Sequence, residues 1–151
     1  MKKTILFLLT CLFISLSGFS QPIPAEKVPA NIKQAFAKKF PAATDVKYEL
    51  EPREYEVSFK DKDSEMSASF DPSGNWLETE TGIKPGELPK EVAASVTKNF
   101  PGFKISTVSK TETSAGELFY ETDLKKEKEK YEVQFSPKGE IMKKKVLKEG
   151  K

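Results

Sequence analysis

The sequence predicts an α+β fold: two tandem repeats of one helix followed by four antiparallel strands, with both helices packed on one face of a shared sheet. Three observations carry this. The stretch Phe70-Asp71-Pro72-Ser73-Gly74-Asn75-Trp76 recurs as Phe135-Ser136-Pro137-Lys138-Gly139-Glu140-Ile141. A proline-bounded amphipathic segment, Pro29 to Pro41, recurs sixty residues later as Pro89 to Pro101. After each such segment, short runs alternate apolar and polar residues, the period of strands with one wet face.

The chain opens with Lys2 and Lys3, an apolar run from Ile5 to Ile14, and small residues ending Ser17-Gly18-Phe19-Ser20. That is the pattern of a secretory signal peptide over residues 1–20, with Gly18 and Ser20 at the positions a peptidase reads before Gln21. The run is too short to span a bilayer as a helix. Cys11 is the sole cysteine, and Thr10 before it is a poor match to a lipoprotein signal. Residues 21–27, with Pro22 and Pro24, read as an extended leader that packs on nothing.

In the first repeat, residues 28–83, Ile32, Ala35, Phe36 and Phe40 share one helical face; proline opens the helix, Lys38 and Lys39 lie at its end and Pro41 stops it. In the second, residues 88–147, Val92, Val96 and Phe100 form the corresponding stripe. The strands of the first repeat are marked by Val46, Tyr48 and Leu50, by Tyr55, Val57 and Phe59, and by Met66, Ala68 and Phe70. Those of the second are marked by Ile105 to Val108, Leu118 to Leu124, and Tyr131, Val133 and Phe135. Each turn motif then leads into a last strand, Trp76 to Thr81 or Ile141 to Val146. The motif is hairpin chemistry: proline presets φ, Asp71 or Ser136 accepts backbone hydrogen bonds, and glycine takes the left-handed conformation. From strands to turn the offset between repeats grows to 65, so the second holds five extra residues, expected in a hairpin loop.

Removal of residues 1–20 leaves 131 residues without cysteine or histidine. This excludes thiolate nucleophiles, imidazole bases, disulfides and zinc sites. Lys2 and Lys3 depart with the signal, so the net charge of +2 becomes zero, and no attraction to nucleic acid is expected. The charge is nonetheless unevenly spread. Residues 21–83 carry 8 basic and 12 acidic side chains, and residues 84–151 carry 15 and 11. A chain of about 60 residues buries only about 60% of its unfolded surface, so the two repeats are expected to share a core.

Trp76, the only tryptophan, falls in alternation with Glu78 and Glu80. Burying Leu77, Thr79 and Thr81 costs less than burying two carboxylates, which puts Trp76, Glu78 and Glu80 on the open sheet face as a candidate partner-binding site. The competing reading is a bulge after Gly74 that turns Trp76 inward. Asp61-Lys62-Asp63-Ser64-Glu65 faintly resembles a calcium-ligand series but lacks the glycine and ligand count of such a loop, and it reads as a solvated hairpin loop. Lys125 to Lys130 is its counterpart. Glu54, Glu56, Glu121 and Asp123 recur on strands, but a glycosidase-type pair needs an aromatic-lined cleft that one tryptophan does not make. No catalytic, cofactor or metal residues are assigned. Lys143, Lys144 and Lys145 fit an edge strand guarded against aggregation.

Val28-Pro29, Phe36, Phe40-Pro41, Tyr55-Glu56-Val57, the Phe70 to Trp76 motif and Glu78-Thr79, taken in that order, resemble the secreted PepSY-like, β-lactamase-inhibitor-like proteins of Bacteroidetes-type bacteria. The resemblance covers residues 28–147 as a single domain; the second repeat departs from it with Ser136 for Asp71 and Ile141 for Trp76. It implies an exported, periplasmic or secreted, non-catalytic module that binds a protein. Inhibition of a secreted or periplasmic enzyme is one form of that role. The alternative is binding of a small ligand or cell-envelope component. A flat charged face favours the protein and an enclosed pocket the ligand.

Overall fold

The structure, a computed structural model, describes residues 21–147; the expected signal peptide lies outside the described residues. The chain runs β1 (Gln21–Ile23), α1 (Ala30–Lys39), β2 (Thr44–Leu50), β3 (Tyr55–Asp61), β4 (Ser64–Phe70) and β5 (Trp76–Gly82). It continues as α2 (Lys90–Asn99), β6 (Lys104–Thr113), β7 (Leu118–Lys126), β8 (Glu129–Phe135) and β9 (Ile141–Val146). The strands pair antiparallel in sequence order from β1 to β9, in one sheet.

This order corrects the expected fold class. The molecule is a single nine-stranded antiparallel meander carrying two short helices, not a pair of helix-plus-four-strand repeats. Backbone pairing continues across the junction between the two sequence copies, with Glu78 opposite Thr113 and Glu80 opposite Thr111, so the internal repeat is a feature of the sequence and the sheet is the structural unit. The leader is corrected as well. Gln21, Pro22 and Ile23 pair with Leu50, Glu49 and Tyr48 as an edge strand, where a proline that cannot donate is tolerated, and Ile23 packs against the core beneath α1.

The expected shared core is absent. Val28, Ile32 and Phe36 pack on Val57, Phe59, Ala68 and Phe70, with the Phe36 and Phe59 rings 5.0 Å apart edge to face. A separate cluster joins Leu88, Val92, Val96 and Phe100 to Val108, Leu124, Val133 and Phe135. A polar seam divides them: where β5 meets β6 on the helix-bearing face, Thr79 lies opposite Glu112 and Thr81 opposite Lys110, and Lys110 is ion-paired with Glu112. These polar side chains separate the two clusters, so the halves are joined chiefly by strand pairing, with Ile83 at the end of the first repeat packing against the second cluster.

The five extra residues of the second copy also differ from expectation. They lengthen strands and not a loop, since β6 has 10 residues against 7 in β2 and β7 has 9 against 7 in β3. The longer hairpin reaches alongside the start of β5, where the Ser114 amide donates to the Leu77 carbonyl.

Both turn motifs form as their residues dictate. Asp71 Oδ1 accepts from the Ser73 and Asn75 amides at 2.9 Å each, Ser136 Oγ accepts from the Glu140 amide, and Gly74 and Gly139 take positive φ. Each turn then sits on the first turn of its helix. Asn31 Nδ2 donates to the Pro72 carbonyl at 3.1 Å, and a Cβ at Gly139 would run into the Glu91 carbonyl. The glycines thus serve both hairpin closure and the close approach of turn to helix.

Candidate functional site

With both helices on one face, the other is left uncovered and curls into an open trough of about 1130 Å³. The right-handed twist of a long sheet produces such curvature without any special sequence device. The face is therefore neither flat nor an enclosed pocket. Register fixes which residues share this face, and of these Lys47, Glu56, Ser58, Ser67, Glu80, Gly82, Ser109 and Glu121 line the trough itself. One row across the strands reads Glu49, Glu56, Ser69, Glu78, Thr113, and the next reads Lys47, Ser58, Ser67, Glu80, Thr111. A third, toward the other end, reads Gly82, Ser109, Glu121, Gln134, Lys143. Hydroxyls and carboxylates dominate the middle of these rows, with Lys47 and Lys143 at their ends, because the apolar member of each alternating pair is committed to the helix-bearing face.

Crowded carboxylates on a partly desolvated surface resist ionisation. The Glu78 carboxyl is raised to about 7, first by burial and then by the negative charges of Glu54, Glu80, Glu121 and Glu56. Glu56 and Glu121 are raised in the same way, burial leading, each partly offset by a hydrogen bond that favours the anion, from Ser67 and from Gln134 respectively. Gln134 Nε2 donates to Glu121 Oε2 at 2.9 Å, and Ser69 Oγ donates to Glu54 Oε1 at 3.1 Å. Two of the lysines on this face are ion-paired at its rim, Lys60 with Asp45 at 3.1 Å and Lys145 with Glu132 at 3.8 Å. Exposed pairs of this kind hold little energy.

Trp76 does not belong to this face, which corrects the grouping read from alternation. Phe70 pairs with Trp76 but Ser69 with Glu78, so the ladder slips by one residue at Trp76-Leu77. Such a bulge reverses which side the following residues face. Glu78 and Glu80 lie on the open face, while Trp76 packs against the cluster beneath α1. Its Nε1 donates to Thr79 Oγ1 at 2.9 Å, and Lys39 Nζ lies 3.5 Å from the ring centre.

The structure instead brings Glu56 and Glu121 beside Glu78 and Glu80. Both carried a signal in the sequence, since each is the polar member of an alternating strand; the missing information was which strands lie next to one another. Asp61 to Glu65 forms the expected hairpin, Asp61 opposite Ser64 with Lys62 at positive φ. The carboxylates that do converge are Glu49, Glu51 and Glu56, whose oxygens lie within 4.8 Å of one another, a donor set suited to a hard cation. Among the described residues no helix is long and apolar enough to cross a membrane.

Known structures share this architecture. A protein from Bacteroides eggerthii described as a putative periplasmic protein superposes with a TM-score of 0.76 at 19% identity, over 80% of this chain and 89% of its own. A BLIP-like protein from Bacteroides fragilis gives 0.71 at 22% identity over 85% and 91%, and a DUF2874 family protein from Bacteroides uniformis gives 0.75 at 20% over 79% and 89%. At these identities the likeness establishes the fold. No curated protein matches the sequence significantly. The sequence profile of one family does match, over residues 17–69 and again over 53–143, and with most of the sheet and both helices inside those bounds the chain belongs to the family described as "Putative beta-lactamase-inhibitor-like, PepSY-like".

Proposed function

We propose that this chain is an exported, non-catalytic binding protein whose open sheet face docks on another protein, with a secreted or periplasmic enzyme as the partner class. The observation that carries this reading is the character of the trough: open, about 1130 Å³ in volume and lined in the main by polar and charged side chains, among them Glu56, Ser58, Ser67, Glu80, Ser109 and Glu121. Small-ligand sites are enclosed and mostly apolar, so this lining speaks against a small ligand, the alternative read from the sequence. Protein interfaces accept polar, hydrated surfaces of this kind. The family description and the BLIP-like and periplasmic descriptions of two neighbours accord with the reading, although those words describe the neighbours.

The test is capture from envelope extract by the chain from Gln21, beside a Glu80→Lys/Glu121→Lys variant and a Lys98→Glu variant on α2. Charge reversal on the open face is expected to reduce recovery of the captured protein at least about tenfold, and the helix variant to leave it unchanged. Equal capture by all three proteins would remove the open face from the interaction.

A further inference from the structure

We propose that the trough receives a cationic side chain, a lysine or arginine at the tip of a projecting loop of the partner, seated between Glu80 and Glu121 over Ser109. This rests on the reading of the open face as a docking face and specifies what that face recognises.

Three observations converge. The central rows hold carboxylates and hydroxyls without an intervening cation: Glu56, Ser69, Glu78 and Thr113 in one, Ser58, Ser67, Glu80 and Thr111 in the next. The lysines of this face stand toward its two edges, Lys47 and Lys60 on β2 and β3 and Lys143 and Lys145 on β9, with Lys60 against Asp45 and Lys145 against Glu132. Second, Ser109 lines the trough and is only 7% exposed, yet its hydroxyl has no hydrogen-bond partner among the described residues. The hydroxyl is not among the sealed polar atoms of the fold but opens to the trough, opposite Glu121 on the neighbouring strand, facing the space where a ligand would sit. Third, the trough is open and about 1130 Å³ in volume, and an ammonium or guanidinium group carries only donors, which complement the carboxylates of Glu80 and Glu121 and the Ser109 hydroxyl.

The energetics point the same way. Glu56, Glu78 and Glu121 are each held toward the neutral form by burial and by the surrounding acids, and the negative charge of Glu80 acts on all three. A cation placed among them relieves that repulsion and draws protons off the carboxyls, so its differential gain is larger than at an isolated surface acid. A neutral or acidic guest has no such gain.

The experiment is an NMR titration of the ¹⁵N-labelled chain from Gln21 at low salt. The probes are a short disulfide-closed peptide with one Arg and one Lys at its tip, the same peptide with both replaced by Gln, and calcium chloride alone. The basic peptide is expected to shift the amides of Glu80, Ser109 and Glu121 specifically, the neutral peptide to shift none, and Glu80→Gln/Glu121→Gln to weaken the basic peptide at least about tenfold. Because these substitutions relieve repulsion, the variant should fold, and its own amide spectrum verifies that. Scattered shifts over the whole surface, an unaffected double variant, or calcium binding these same amides more tightly than the peptide would each overturn the proposal. If the peptide fails while charge reversal still abolishes capture, the face docks a protein by other chemistry; if charge reversal leaves capture intact, the docking reading itself is wrong.

Discussion

Trp76→Ala is expected to destabilise the protein by about 3 kcal/mol while leaving capture of a partner on the open face unchanged. The residue is partly buried against Phe70 and the α1 cluster. Its removal opens space beneath the helix end, deprives Thr79 of the donor held at 2.9 Å and strips Lys39 of the ring 3.5 Å from its ammonium group. Truncation of a fully buried tryptophan costs about 3 to 5 kcal/mol, and partial exposure places this one at the lower end. Urea denaturation reports the stability, and the envelope-capture assay reports the function. Trp76→Phe should recover most of the loss, since the apolar contact returns and only the indole donor is missing. A loss of stability under about 1 kcal/mol combined with lost capture would restore Trp76 to the binding surface.

The same residue shows where sequence reasoning stops. Alternation located the strands because the period of two is a local property, and the turn motifs located the hairpins because Asp71, Pro72 and Gly74 have conformations of their own. A bulge is also local, but it leaves no mark in a pattern of apolar and polar residues. Trp76, Glu78 and Glu80 alternate perfectly in sequence and yet divide between two faces, because the ladder slips between Ser69 and Phe70. Only the cost of seating Trp76 in water beside Phe70 could have hinted at it.

The two cores were legible in part. The apolar stripes of α1 and α2 were plain, but their separation depends on Thr79, Thr81, Lys110 and Glu112 meeting at one junction, residues some thirty positions apart. The leader was misread for a similar reason. Pro22 and Pro24 forbid a central strand, and the missing fact was a vacant edge on β2 that accepts three residues. The acidic face is the most distant inference of all, since it needs β3, β5 and β7 to be placed in one sheet, with only β4 and β6 between them, before its carboxylates become neighbours.

That crowding has a cost that can be measured. Stability is expected to fall by about 2 kcal/mol as pH rises from 4.5 to 7, and Glu78→Gln should remove most of the fall. In the unfolded chain Glu78 releases its proton near the ordinary glutamate value of 4.5, whereas in the folded protein it holds the proton until about 7. Between those limits the folded state binds the extra proton, so stability declines with rising pH at about 1.4 kcal/mol per unit. The full interval would give about 3 kcal/mol, and the side chain's residual contact with solvent reduces this to about 2. Below 4.5 both states are protonated and above 7 both are ionised, so the curve is flat outside the window. Glu56 and Glu121 are shifted the same way and leave a shallower slope in the variant. At pH 8 the Glu78→Gln protein should therefore be the more stable by about 2 kcal/mol, with the two nearly equal at pH 4.5, as read from urea midpoints at each pH. A parallel pair of curves would mean that Glu78 ionises freely and that the open face around it is wetter than its geometry requires. A converging pair at low pH would show that the fold forgoes stability at neutral pH to keep a concentrated negative surface.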